Sequence, residues 1–367
     1  MRVLVDSEIY RLQSTGGISR IFTESLQRLG KILPEIAIRL THVENHFRSR
    51  LPQAPWIQPP LSFRPRRFEA AINASLERRW KPQIFHGTYF TTPGVRGVRT
   101  VATVYDFIHE ECASLEGFHA SVVARKRLAL QSADCIIAIS DATRESVFRH
   151  IRGAESKVRV IYPGVAEAFL ADAGGGGDAG RELRAAIGNA RPYWLFVGVR
   201  RAYKNFGTLL RAFARAASRA EADLVLIGGD HELAGWEVDF LISRRLEKRV
   251  HLLGQVTDRL LIAAYREAAA FVFPSCAEGF GIPLIEAMAC GTRVLAADIP
   301  VFREIALGRA EFFDPHDQDA LEELLLMSLE RAPEPERLDE ARQYAARFTW
   351  DEAARKLAEV YQSCAAT

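Results

Sequence analysis

The sequence predicts an α/β protein made of two doubly wound, Rossmann-like domains, each a parallel sheet covered on both faces. Three observations carry this. Short apolar strand patterns alternate with amphipathic helical ones along most of the 367 residues, the pattern of parallel βαβ architecture. The alternation is broken once, by Ala171-Asp-Ala-Gly-Gly-Gly-Gly-Asp-Ala-Gly180, whose four glycines have little reason to lie inside a packed element. The same pattern then restarts, and the chain length itself favours two domains.

Taken in order, Val3-Leu-Val5 opens as a strand and an amphipathic helix follows from about Ser19 to Leu29. Further strands are expected at Ile84-Phe85, Val101–Val104, Cys135–Ala138 and Val158–Tyr162, with helices near 120–132 and 141–150. Ser140-Asp141 supplies a cap for the second of these. A linker is expected over 171–190. Beyond it, strands at Tyr193–Val197, Leu224–Ile227, Val250–Leu253 and Phe271–Phe273 alternate with helices near 206–220, 258–269 and 283–290. The first three end on glycine (Gly198, Gly228-Gly229, Gly254), and the carboxyl ends of parallel strands are where such folds open their ligand crevice. A last strand is expected at Arg293–Ala297. The tail reads as a helix from Leu321 to Glu330, a break at Pro333 and Pro335, and a helical pattern from about Leu338 to Ser363 that restarts at Phe348-Thr-Trp350. The expected domains are therefore 1–170 and 191–348, with 349–367 as a final helix.

Composition narrows the class. No run approaches the ~20 apolar residues of a membrane helix, and Met-Arg-Val-Leu-Val-Asp6 meets an acid too early for a signal peptide. The five cysteines show no Cys-x-x-Cys spacing, so a reduced, cytoplasmic chain without zinc is expected. Lys and Arg exceed Asp and Glu by 8 over residues 1–170, and the balance reverses to −6 over the rest. The basic half includes Arg64, Arg66, Arg67, Arg78, Arg79 and Lys81, then Arg125, Lys126 and Arg127. These form either a solvated face or a peripheral surface for anionic lipid at the inner membrane face. Without a nucleic-acid-binding module, nucleic acid is not an expected partner.

The most informative stretch is Ser275-Cys-Ala-Glu-Gly-Phe-Gly-Ile-Pro-Leu-Ile-Glu286-Ala-Met-Ala-Cys-Gly291. It reads as turn, then helix, between two apolar strands. Pro283 suits a first helical turn, so the N–H groups of Phe280, Gly281 and Ile282 are free donors at a positive helix end, an anion site. Gly279 and Gly281 permit close approach to the backbone. Glu278 and Glu286 would repel that anion unless each has another partner, and sugar hydroxyls are suitable ones. The combination points to a sugar nucleotide. A G-x-G turn alone could equally be a connector, but the seven-residue spacing of the two glutamates is far less generic.

The string Glu278-Gly-Phe-Gly-Ile-Pro-Leu-Ile-Glu286, continued by Ala-Met-Ala-Cys-Gly291 and Ile299-Pro-Val-Phe-Arg-Glu304, resembles the signature of family 4 retaining glycosyltransferases of the GT-B fold. The resemblance implies two Rossmann-like domains facing across a cleft, with the last helix returning to the first domain. Gly198-Val-Arg-Arg-Ala-Tyr-Lys-Asn205 resembles the family's basic element, which implies that Arg200 and Lys204 hold the donor diphosphate, with Arg201 the weaker choice. Ser14-Thr-Gly16-Gly17-Ile-Ser-Arg20 is either an ordinary turn or, by resemblance, a loop closing over the diphosphate through Gly16 and Gly17, with Arg20 adding charge.

Other candidates follow strand ends. His86, Asp106 and His109 are placed to border the cleft, although a lone histidine is more often structural. Where many family members carry Thr-Val-His-Asp, this chain has Thr103-Val-Tyr105-Asp106; Tyr105 departs from the pattern and Asp106 matches it. Within Gln255-Val256-Thr-Asp258, Asp258 is either a helix cap or, with Val256, a contact to the nucleobase. By resemblance, Glu286 holds ribose and Glu278 the donor sugar.

Two cations and a helix N-terminus can neutralise a departing diphosphate without a metal, and the sole Asp-x-Asp, Asp317-Gln-Asp319, suits a helix cap. Metal independence and no cofactor beyond the sugar-nucleotide substrate are therefore expected. The resemblance implies retention of configuration by front-side attack. The elements Gly16-Gly-Ile-Ser-Arg20 and Tyr203-Lys-Asn-Phe206 resemble bacterial polysaccharide mannosyltransferases, which implies GDP-mannose as donor and a glycan or lipid-linked saccharide as acceptor. A UDP-sugar transferase and a non-catalytic sugar-nucleotide-binding protein are the alternatives.

Overall fold

The computed structural model describes residues 1–13, 16–38, 74–75, 77–112, 120–171 and 177–366. They form two compact units. One comprises Met1–Glu110, Phe118–Gly164 and Phe348–Thr367; the other comprises Glu111–Gly117 and Val165–Arg347.

The first unit is built on a six-stranded parallel sheet: β1 (Val3–Val5), β2 (Ile36–Ile38), β3 (Ile84–Gly87), β4 (Arg99–Val104), β5 (Cys135–Ala138) and β6 (Val158–Val160), in the order β2-β1-β3-β4-β5-β6. β1 and β3 are buried along their whole length, as befits strands covered on both faces. The helix Gly17–Ile32 lays Phe22, Leu26 and Leu29 into this core. Against it packs Trp350–Ala366, the last helix of the chain. The contact is mainly apolar, through Trp350, Leu357 and Tyr361, with an Arg28–Asp351 ion pair of 2.8 Å at its rim.

The second unit repeats the plan with β7 (Tyr193–Val197), β8 (Asp223–Ile227), β9 (Val250–Gly254), β10 (Ala270–Phe273), β11 (Val294–Ala297) and β12 (Glu311–Phe313), all parallel, in the order β12-β11-β10-β7-β8-β9. β7, β8 and β10 are wholly buried. Trp194 fills the core beside Phe213 and spends its indole N–H on the Ser328 hydroxyl at 2.8 Å.

Several expectations are corrected. The span 171–190 is not a linker throughout, because Asp178–Ile187 is a helix of the second unit. It packs on the helix Asp258–Glu267 through an Arg184–Glu267 ion pair of 2.9 Å and an Arg259–Glu182 pair. The glycines at 174–176 lie outside the described residues. Residues 338–363 are not one helix: Pro335–Ala345 ends before Trp350–Ala366 begins, and Pro335 sits in a first turn rather than stopping an element. The cap of the helix Asp258–Glu267 is Thr257, whose hydroxyl accepts from the Leu260 amide, and not Asp258. Of the basic residues, Arg64, Arg66 and Arg67 lie outside the described residues; Arg78, Arg79, Lys81, Arg125 and Arg127 are exposed. Lys126 is buried, its Nζ 2.7 Å from Glu110 and donating to the Asp106 carbonyl at 2.9 Å, so it contributes nothing to a basic surface.

Candidate active site

In the second sheet the chain runs outward from β7 through β8 to β9, then returns to place β10 on the other side of β7. The β7/β10 boundary is thus the topological switch point, where the turns leaving the two strands diverge and leave room for a ligand. The glycine-bearing turn and the basic loop follow these two neighbouring strands. They also touch, since the Cys276 amide donates to the Tyr203 carbonyl at 2.8 Å.

Lys204 and Glu278 meet across this boundary, Nζ to Oε1 at 2.5 Å, with both side chains largely buried. The ammonium also lies 5.3 Å from the Tyr203 ring centroid and 5.5 Å from that of Phe273. Behind Lys204, Asn205 takes a left-handed conformation and anchors the loop by donating its side-chain amide to the Pro315 carbonyl at 2.7 Å. On the other side Gly281 is the N-cap of Ile282–Ala289, with φ of 97°. A Cβ there would lie 3.0 Å from Phe302 and 3.3 Å from Phe273, so conformation and space both require glycine. Ile282 and Pro283 start the helix, and its first N–H groups have no partner within it. The Ser275 hydroxyl, immediately after β10, is fully buried and has no hydrogen-bond partner.

The two family models that match the chain cover most of it between them: "Glycosyltransferase Family 4" over residues 16–169 and "Glycosyl transferases group 1" over 182–345. The chain belongs to glycosyltransferase family 4. Among relatives, the O-antigen chain mannosyltransferase B of Escherichia coli is 28% identical over 265 residues, 69% of this chain and 67% of the relative. The O-antigen chain mannosyltransferase RfbU of Salmonella typhimurium is 30% identical over 159 residues, 43% of this chain and 44% of the relative. Solved structures share the whole fold, which is GT-B. Anabaena HepE in complex with UDP and glucose has a TM-score of 0.79 at 17% identity, over 99% of this chain and 100% of that one. WaaG, a glycosyltransferase involved in lipopolysaccharide biosynthesis, has a TM-score of 0.73 at 16% identity, over 98% and 99%.

In this family 4 glycosyltransferase the structure gathers Lys204, Glu278, Gly279, Phe280, Gly281 and Ile282 at one switch point. It does not bring Arg200 there as a free cation. The Arg200 Nε donates to both carboxylate oxygens of Glu237 (3.2 and 3.1 Å), Nη2 donates to the Glu232 carbonyl, and only 3% of the side chain is exposed. Arg201, the neighbour set aside, is exposed. Glu286 is buried inside its helix, where the Tyr265 hydroxyl approaches at 3.4 Å. Val256 is half-buried and Asp258 exposed, both just beyond β9. The carboxylate of Asp317 accepts from the amides of Asp319 and Ala320 at 3.0 and 2.9 Å, the capping role expected of it.

Candidates in the first unit fare differently. His86 is buried in the core, with Nδ1 2.6 Å from the Tyr361 hydroxyl and Nε2 2.8 Å from the Thr103 hydroxyl. Both nitrogens are therefore committed, and burial lowers its pKa to about 3, so the ring is neutral. That corrects its reading as a ligand contact. Tyr105 is likewise internal: its hydroxyl donates to the Thr88 carbonyl at 2.6 Å, and burial, aided by the Asp6 carboxylate, raises its pKa far above the ordinary value. Asp106 is half-buried and accepts from the Ile108 amide at 3.1 Å, while His109 is half-buried in the short helix Ile108–Glu111. Gly16 and Gly17 begin the helix Gly17–Ile32, and a Cβ on Gly16 would fall 2.4 Å from the Gln13 side chain. Arg20 sits half-buried one turn on.

Sequence reasoning missed Glu237, Ser275 and Asp6. Asp6 had a signal, an acid directly after an apolar strand. Glu237 had none, because its partner Arg200 lies 37 residues away.

Proposed function

We propose that this chain is a retaining, metal-independent glycosyltransferase. It moves a hexose, mannose by preference, from a nucleoside-diphosphate donor to a hydroxyl of a glycan or lipid-linked saccharide in bacterial surface polysaccharide synthesis. One observation carries the reading: Lys204 and the Gly281 helix start share the β7/β10 switch point, so a cation and oriented amides converge where a pyrophosphate fits. Lys204 and these amides stabilise the diphosphate as its bond to the sugar C1 breaks. Arg201 supplies the second positive charge in place of Arg200. The acceptor oxygen bonds to C1 from the same face, and its proton passes to the departing phosphate oxygen. No enzyme nucleophile is required. Glu278 turns from Lys204 to a hydroxyl of the donor sugar, Glu286 serves the ribose, and Val256 with Asp258 lies beside the base.

Mannose is favoured by the O-antigen chain mannosyltransferases among the relatives. A UDP-sugar donor is the second reading, favoured by the UDP bound in Anabaena HepE. No helix among the described residues is long and apolar enough to cross a membrane; the exposed arginines of the first unit suit peripheral contact with an anionic cytoplasmic membrane face.

A thermal-shift panel of GDP-, UDP- and dTDP-sugars tests the reading. A ligand at a hundred times its dissociation constant adds about 2.7 kcal/mol of stability, several degrees in Tm. GDP-mannose should give the largest shift, followed by transfer of labelled mannose to a lipid-linked saccharide extract. No shift with any nucleotide sugar would overturn the proposal.

A further inference from the structure

The first unit has a switch point of its own, between β1 and β3, and one short turn there is held by several independent constraints. Asp6, directly after β1, is buried. Its carboxylate accepts from the Thr88 amide (2.9 Å), the Thr88 hydroxyl (2.5 Å), the Glu8 amide (3.2 Å) and the Thr91 hydroxyl. Gly87 lies so close to Thr91 that a Cβ would stand 2.5 Å from its carbonyl oxygen. Phe90 is fixed at φ of 53°, left-handed backbone that an aromatic residue adopts only when its surroundings impose it. The Tyr105 hydroxyl donates to the Thr88 carbonyl at 2.6 Å.

Ending a strand requires none of this. What the constraints determine together is the placement of Tyr89. Its ring lies nearly parallel to that of Tyr105 (16°, centroids 6.3 Å apart) and 4.8 Å from Phe90. Phe90 and Tyr105 are buried, whereas Tyr89 is half-buried. A half-buried aromatic residue at a switch point, on a turn whose backbone is already fixed, is a ready-made apolar shelf, because little ordering is left for a ligand to impose. A pyranose presents a patch of C–H groups on one face and hydroxyls around its edge, and the patch gains by leaving water for such a ring.

We infer that Tyr89 is the platform on which a pyranose ring of the acceptor saccharide stacks. This rests on the proposed function, in which the acceptor is a saccharide. Asp6 is then a positioning residue acting through the Thr88–Thr91 turn, and Tyr105 the backing that keeps the platform flat.

The experiment uses the full chain and its Tyr89→Phe, Tyr89→Leu and Tyr89→Ala variants. An α-linked mannose disaccharide and methyl α-mannoside are the saccharide probes, followed by saturation-transfer NMR titration, and GDP and UDP are followed separately by thermal shift. Tyr89→Ala and Tyr89→Leu should weaken disaccharide binding at least tenfold, Tyr89→Phe less than threefold, and the nucleotide response should be the same in all four proteins. Unchanged saccharide affinity in Tyr89→Leu overturns the platform, as does a Tyr89→Phe variant as impaired as Tyr89→Ala, which would assign the contact to the hydroxyl. A wild type that binds nucleotide but neither saccharide overturns it too. If the wild type answers to no nucleotide, the proposed function falls, while saccharide affinity across the variants still decides the platform.

Discussion

Lys204 combines two demands that rarely coincide on one lysine. It is largely buried, and its charge is already matched by Glu278 at 2.5 Å. In the proposed reaction this pairing holds the ammonium at the switch point until the donor diphosphate competes for it. Losing one charge-assisted contact to a leaving group raises a barrier by about 3 kcal/mol, roughly a hundredfold in rate. Lys204→Ala should therefore lower kcat about a hundredfold with the fold preserved by circular dichroism; near-wild-type turnover with a confirmed donor would remove Lys204 from the site. His86 makes the opposite case, a polar residue whose task is structural. Its folded pKa of about 3 lies below the ordinary 6.5, so the unfolded chain binds the extra proton. The stability it contributes is complete above about pH 6.5 and declines as the pH falls toward 3. Between pH 6.5 and 5 this one group should account for about 2 kcal/mol. Denaturant titrations at the two pH values should show His86→Asn less acid-sensitive than wild type by that amount, and parallel pH profiles would refute the assignment.

At the scale of the element, the loop after β7 separates two arginines that look interchangeable in sequence. Arg200 is turned inward onto Glu237, which itself accepts from the Ala234 amide at the start of its own helix. Removing one partner of such a buried pair strands the other charge and costs about 3–5 kcal/mol. Arg200→Ala should thus lower Tm by several degrees, whereas Arg201→Ala should leave Tm unchanged and lower kcat/KM. A reversed pattern would restore the reading in which Arg200 holds the diphosphate. This loop also marks where sequence is informative. The strands Cys135–Ala138 and Tyr193–Val197 were legible as short apolar runs, and the helix Asp141–His150 through its Ser140 cap. The three-residue edge strands Ile36–Ile38 and Glu311–Phe313 were not, being too short to show alternation. The helix Gly235–Arg244 also escaped, since it buries only Glu237 and Leu241 and leaves Trp236 and Ile242 exposed, so no apolar stripe announces it. The glycine-bearing turn was legible because its chemistry is local, whereas Lys204 was singled out by resemblance, its partner Glu278 lying 74 residues away. The fates of Arg200, His86 and Tyr105 were not, because each is decided by a partner distant in sequence or by burial.

At the scale of the molecule, the chain closes its first unit with its last helix. Residues separated by 275 positions meet when the Tyr361 hydroxyl reaches His86, and Trp350 and Leu357 complete an apolar layer begun by Ile21 and Phe22. The backbone fits just as closely there, a Cβ on Gly164 falling 2.4 Å from the Trp350 amide. The first unit thus depends on a segment that follows the entire second unit in sequence, so its long-range contacts form at a high loop-closure cost. Trp350 is 2% exposed, and truncating a buried tryptophan costs about 3–5 kcal/mol through lost burial and the cavity left behind. That is a large part of a typical domain's stability. Trp350→Ala should accordingly loosen residues 1–164 and 350–366 in hydrogen exchange while residues 182–345 keep their protection, because the second unit's core around Trp194 and Phe271 does not include that helix. Equal loss of protection in both units would mean that they unfold as one cooperative body, and that the last helix supports the second core as much as the first.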